Sequence, residues 1–405
     1  MIKFTYQALL ISLSLATFST TTYASNKEAI MPSQTTVHET DLYTASRQSR
    51  YLIITLKQAH QVLSTSDING GQNNTLNNIV NFQSVEGNGH DNRFEHILSV
   101  SNQQYHQELA DALNLDAKKM ASMGTAANIN NVVHVQKSYR DITVNTFVTA
   151  GVRGNSLRSG DPARWYQAKD GNEFVKDSGT INIILLLNRA LTPGAQAKAA
   201  TVLTEAKSAA LIELAIPSKQ SQHIATGTGT DQFAIASPMK SSLNTLDSAS
   251  GHLKLGELIG SAVREAVIEA ISVQNGLERS DTRSIMHALG RFGLTKKPLL
   301  AKLKQKLADQ QFELLEKNAR AVFSEPKLVA AAYAYASVLD RLEYGTLSRT
   351  IENDVLLDQA VNAAIALSGQ SQDWQQFRQQ LSVTENDQLD LFAQAIAIGW
   401  QSKWK

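Results

Sequence analysis

The run Ile181–Leu187 reads INIILLL, and no other stretch constrains the fold as much. A strand with one wet face alternates apolar and polar residues. This run does not, so it is predicted to be a strand covered on both faces. Layers must therefore lie on either side of it. Its single polar member, Asn182, needs buried partners or a site to point into, and the pattern leaves both open.

The flanking sequence repeats a theme. Residues 149–161 read TAGVRGNSLRSGD, and residues 223–231 read HIATGTGTD. Between them Thr192-Pro193-Gly194 opens an Ala-rich helix over residues 195–215, whose Ala199, Leu203, Ala206, Ala210 and Leu214 form a stripe of mostly small residues. Such a stripe lets a helix lie close on a sheet. Polar, glycine-marked loops alternate here with a buried strand and a helix, which is how separate loops bring polar groups to one place.

Elsewhere, Tyr51–Leu56 is a β-rich run, and residues 61–66 are expected to pair with it as a hairpin. Residues 67–71 (DINGG) signal a turn, residues 77–85 a strand, residues 94–115 a helix, and residues 132–152 one or two strands. A further amphipathic helix spans residues 254–273 and ends at Asn275-Gly276. From Arg283 onward every periodic segment reads helical. The expected fold class is α+β: a mixed β-sheet core covered by helices, followed by an all-helical C-terminal region. The expected divisions are a leader at 1–24, a polar linker at 25–48, the α+β domain at 49–275 and the helical region at 276–405.

The leader is read from Lys3, the apolar residues 8–18 and the small Ala24, which together fit an export signal and a periplasmic destination. Charge is balanced, with 38 basic and 37 acidic residues, which argues against a nucleic-acid partner. No later apolar run approaches a membrane span. There are no cysteines, so thiol nucleophiles, disulfides and Cys-ligated zinc are excluded.

The familiar catalytic signatures G-x-S-x-G, H-E-x-x-H and the Walker loop are missing. The least ordinary string is Thr226 to Asp231, TGTGTD. Its Thr228, Gly229 and Thr230 offer hydroxyls and backbone N–H groups for an oxyanion, and Asp231 enters the next strand as a base or an orienter. A flexible loop capped by Asp231 fits the string equally well. Asn155, Arg158 and Asp161 suit a polar ligand, although Asp161-Pro162 also reads as a plain turn. Glu205 lies off the Ala stripe, on a face expected to be solvated. His252 precedes a helix as a proton shuttle or a surface cap. His90 and His96 make only a weak metal pair, and no metal site is expected.

Six blocks in order resemble the adenosylcobinamide amidohydrolases, called CbiZ: VLSTSDINGG (62–71), TAGVRGNSLRSGD (149–161), GTINIILLLN (179–188), TEAKSAALIEL (204–214), ATGTGTD (225–231) and HLKLGELIGSAV (252–263). They span roughly residues 50–275. The resemblance implies hydrolysis of the amide joining a corrin side chain to aminopropanol, giving cobyric acid for cobalamin salvage. The cobalt corrinoid is then substrate, and no cofactor is implied. The leader and the helical region depart from the family pattern. Within this scheme residue type and loop position suggest Asp231 or Asp161 as base, with Glu205 and His252 as helpers. Thr228, Gly229 and Thr230 would face the oxyanion, and Asn69, Asn155 and Asn182 the amide-fringed corrin rim. The alternative is a non-catalytic corrinoid-binding protein that docks on an uptake system.

Overall fold

The computed structural model describes residues 34–84, 96–97, 99–163, 179–384 and 387–403. The expected leader, His90 and two members of the expected 94–115 helix, Phe94 and Leu98, lie outside the described residues.

Two sheets stack face to face. The first has the order β1-β2-β3-β6-β7, from Thr35–Glu39, Tyr43–Gln48, Tyr51–Leu56, Asn78–Gln83 and Met120–Thr125. The second has the order β5-β4-β13-β11-β9-β8. Its strands are β4 (His60–Ser64), β5 (Gly71–Asn73), β8 (Val133–Tyr139), β9 (Ile142–Ala150), β11 (Ile181–Leu187) and β13 (Gln232–Pro238). A short ribbon pairs β10 (Ser156–Leu157) with β12 (Gly227–Thr228).

Helix α1 (Asn102–Leu113) covers the outer face of the first sheet through Leu109 and Ala110, against Ile53, Val80 and Phe82. Helices α2 (Pro193–Glu213) and α3 (Lys254–Asn275) cover the outer face of the second. The result is four layers: helix, sheet, sheet, helix. Strand β11 has the environment its sequence demands. All seven residues are buried; Ile181, Ile183, Leu185 and Leu187 meet α2 and α3, while Ile184 and Leu186 meet the first sheet. The small-residue stripe of α2 is buried as expected, and Thr192 caps the helix by accepting from the Ala195 N–H.

Two expectations need correction. Residues 35–48 are not linker: β1 and β2 occupy them. Their sequences, TTVHE and YTASRQ, place only Tyr43, Ala45 and Ser46 fully inside, too little apolar signal to stand out from a polar stretch. Strands β3 and β4 do not form a hairpin. Both edges of β3 are taken, by β2 and β6, and β4 instead pairs with β13 and β5 in the other sheet.

The helical region comprises α4 (Ile285–Gly290), α5 (Lys296–Lys306), α6 (Asp309–Lys317), α7 (Ala319–Phe323), α8 (Pro326–Glu343), α9 (Glu352–Ser368), α10 (Trp374–Gln380) and α11 (Gln388–Ser402). It has its own core, with Tyr335, Phe377 and Phe392 at its centre. It nevertheless belongs to one compact unit, Gln34–Lys405. Among the described residues no helix is long and apolar enough to cross a membrane.

Candidate active site

Strand direction determines which loops meet. β11 and β13 run parallel and β9 runs antiparallel to β11, so the start of β11, the start of β13 and the end of β9 share one end of the sheet. The two glycine-rich loops leave from that end and are tied together by the β10–β12 ribbon, with Ser156 opposite Thr228 and Leu157 opposite Gly227.

Asp231 anchors this junction. Its Oδ1 accepts from the Ile181 N–H (2.9 Å) and the Thr228 hydroxyl (2.6 Å). Its Oδ2 accepts from the Thr228 N–H (2.9 Å) and from Lys207 Nζ (2.5 Å), which α2 supplies. A carboxylate has about four acceptor positions, and here all are filled. The ion pair is largely buried, each side chain 13% exposed. Gly227 makes room for it: a Cβ there would stand 2.4 Å from Asp231 Oδ2 and 2.7 Å from Lys207 Nζ. Asp231 is therefore an organiser of the loop, with no lone pair left for a water proton in this arrangement.

The loop's other donors are also in use. The Gly229 N–H bonds Asn155 O, the Thr230 N–H faces Thr228 Oγ1 at 3.4 Å, and the Thr230 hydroxyl bonds Gly179 O. Thr228, Gly229 and Thr230 thus hold the loop to itself and to its neighbours, and do not present a row of free N–H groups. Asn155 donates its amide to Gly179 O.

Asp161 is differently placed. Its Oδ2 accepts from the Arg158 N–H (2.8 Å) and the Ser218 hydroxyl (2.5 Å), and it lies beside Ser221 and His223. Partial burial pushes its pKa up, but the Ser218 and Ser221 hydroxyls, the Arg158 N–H and nearby His223 pull it further down, leaving it below the usual carboxylate value. His223 carries a buried Nδ1 with no hydrogen-bond partner. The segment bearing Ser218 and His223 is held to the ribbon by Lys219 N–H to Ser156 O and by Ser156 Oγ to Pro217 O. Ser159 N–H reaches Thr226 Oγ1, so Asp161 and Asp231 follow opposite ends of the two-residue ribbon.

Several expected site residues are elsewhere. His252 is exposed at the start of α3. The far end of that helix, Asn275, bonds the Val152 N–H and the Arg153 side chain at the loop junction. A helix of this length spans about 33 Å, so His252 lies at the opposite end of the sheet, where neighbouring Lys254 sits over the Tyr139 ring. Glu205 is exposed on α2; Lys207, two residues on and so on another face, is the side chain that enters the junction. Asn182 is fully buried and donates to Asn81 Oδ1 and Gly124 O between the sheets, a structural engagement of its amide. Asn69 adopts a left-handed conformation (φ 58°) and gives its amide to Ala117 O and Met120 O. His96 pairs with Glu108, and among the described residues no group of acidic residues and histidines is arranged to hold a metal.

Lys207, Ser218 and His223 were not singled out from sequence. His223 opens the HIATGTGTD string, and that position was its only signal. Nothing in the helical pattern distinguishes Lys207 from a surface lysine.

A cleft of about 170 Å³ lies between the 215–224 segment and the helical region, lined in part by Ile224, His287, Arg291, Tyr333 and Asp340. A more open cleft of about 530 Å³, lined by Lys57, Gln58, Asn74, Asn77 and Asn78, lies near the start of β6 and away from both aspartates.

Comparison with known proteins adds the following. The family described as adenosylcobinamide amidohydrolase (CbiZ) matches residues 33–279. An uncharacterized protein of Methanocaldococcus jannaschii is 34% identical over 184 residues, covering 43% of this chain and 71% of its own length. The crystal structure of a Pyrococcus horikoshii OT3 protein aligns over 60% of this chain and 83% of its own at 12% identity, with a TM-score of 0.26.

Proposed function

This chain belongs to the adenosylcobinamide amidohydrolase family, and from that premise we propose that it hydrolyses the amide between a corrin side chain and aminopropanol in cobinamide or a related corrinoid. The family is one of amidohydrolases, which supports hydrolytic chemistry. The observation that carries the reading is the gathering of Asp161, Arg158, Ser218 and His223 on the ribbon that Asp231 and Lys207 fix in place.

In this scheme Asp161 takes a proton from water as the oxygen attacks the amide carbon. Its depressed pKa keeps it ionised at neutral pH. Arg158, half-buried and without a carboxylate partner among the described residues, receives the developing oxyanion. His223 delivers a proton to the departing aminopropanol nitrogen, the C–N bond breaks, and a corrin carboxylate remains. Ser218 orients Asp161 through its 2.5 Å hydrogen bond. The corrinoid's cobalt enters as part of the substrate. Export supplies the setting: a leader at residues 1–24 sends the reaction to the periplasm, where fractionation of cells expressing the full chain would find the protein.

Asp161→Asn tests the assignment. Release of aminopropanol from cobinamide should fall at least about 100-fold, with the thermal midpoint near that of the parent. Turnover within a few-fold of the parent would remove Asp161 from the reaction.

A further inference from the structure

We propose that the helical region is part of this site and that Tyr344, just beyond α8, is a positioning residue in it. The proposal rests on the reading of Arg158 and His223 as reacting groups. The family match ends at residue 279, so nothing in that match accounts for the region beyond.

The contacts converge on one place. The Tyr344 ring lies 5.0 Å from the His223 ring and 5.7 Å from the Arg158 guanidinium. Arg341, from α8 itself, stands 5.5 Å from the same ring. A cation over an aromatic face is attracted by the ring's quadrupole and held in orientation. One side chain of the helical region therefore touches both groups assigned to the oxyanion and the leaving amine. A second contact supports the first. Arg291, 8% exposed, is held by both oxygens of Asp340 and donates to Gln222 O at 2.6 Å. This fixes the residue beside His223 from the same side. His287 donates from Nε2 to Leu214 O, where α2 ends. The helical region thus grips the 214–224 segment at both ends, and Tyr344 completes the grip at the functional groups.

A purely structural role predicts something different from a positioning role. The ring makes the contacts described, and no hydrogen bond of its hydroxyl is among them, so phenylalanine should replace it and alanine should not. The test uses the full chain as Y344A and Y344F beside the parent. For Y344A, kcat on cobinamide should fall about 3- to 10-fold with KM little changed, the range set by loss of one or two exposed cation–π contacts. Y344F should match the parent. Amide hydrogen exchange across residues 156–161 and 217–224 should quicken in Y344A and not in Y344F. If the parent does not cleave cobinamide at all, the reaction assignment fails and the exchange data alone decide the positioning claim. Parent-like exchange in Y344A, or equal damage in Y344F, would overturn it.

Discussion

The Asp231–Lys207 pair shows how a residue that reads as a base can serve as a fastener. Its four donors come from β11, from the 226–231 loop and from α2, so one carboxylate joins three elements. Removing its charge leaves Lys207 largely buried and unpaired, which costs about 3–5 kcal/mol. Asp231→Asn should lower the denaturation midpoint accordingly and abolish turnover by loosening the loop. Asp231→Asn combined with Lys207→Met should be more stable than Asp231→Asn alone, because the uncompensated cation is gone; a double variant as unstable as the sum of the singles would argue against the pair. Asn182 offers a contrasting case. Asn182→Leu strands Asn81 and the Gly124 carbonyl, at about 1–3 kcal/mol. With its amide engaged between the sheets, KM should not move; a raised KM at unchanged stability would return Asn182 to the substrate.

At the scale of elements, the second sheet should weaken in acid through His60 of β4 and His134 of β8. Burial holds the His60 and His134 rings below the usual 6.5, and the His38 ring, tilted 4.4 Å from that of His134, opposes a second charge there. The neighbouring Asn145 hydrogen bond pulls the other way and does not win. A histidine depressed on folding binds fewer protons folded than unfolded, so stability is full above the unfolded value and falls as pH drops through about 6.5 and below. The urea midpoint should therefore drop between pH 7.5 and pH 5.5, and His134→Gln should flatten that slope. A midpoint that rises on acidification would contradict the sign. Much of this scale was legible in sequence. INIILLL announced a strand buried on both faces, Thr192-Pro193 a helix start, and Gly276 a left-handed helix end, each because a local rule fixes it. Sheet membership was not legible. Whether β4 joins β3 or β13 depends on which edges are already taken, and no local rule encodes that. The candidate site divided the same way. The ribbon loops carrying Asp161 and Asp231 stood out by composition. His252 reads from sequence as a proton shuttle or a surface cap, and the length of α3 puts it at the other end of the sheet.

At the scale of the whole molecule, the helical region and the layered sheets behave as one body. Arg279 pairs with Glu213 of α2, His287 donates to Leu214 O, and Arg291, buried against Asp340 at 8% and 17% exposure, donates to Gln222 O. Residues 34–405 should therefore unfold in a single transition, and Asp340→Asn should lower its midpoint without splitting it. Two resolved transitions in the parent would mean that the helical region is an independent appendage. Both the site reading and the role of Tyr344 depend on this continuity, since Ser218 and His223 sit on a segment that the helical region grips at both ends.

The most direct test of the proposed chemistry is mass spectrometry of cobinamide incubated with the protein in heavy-oxygen water. We expect free aminopropanol and a cobyric acid product carrying a single heavy oxygen in its new carboxylate. Intact cobinamide bound tightly to the protein, with neither product formed, would contradict amide hydrolysis and leave a binding protein in its place.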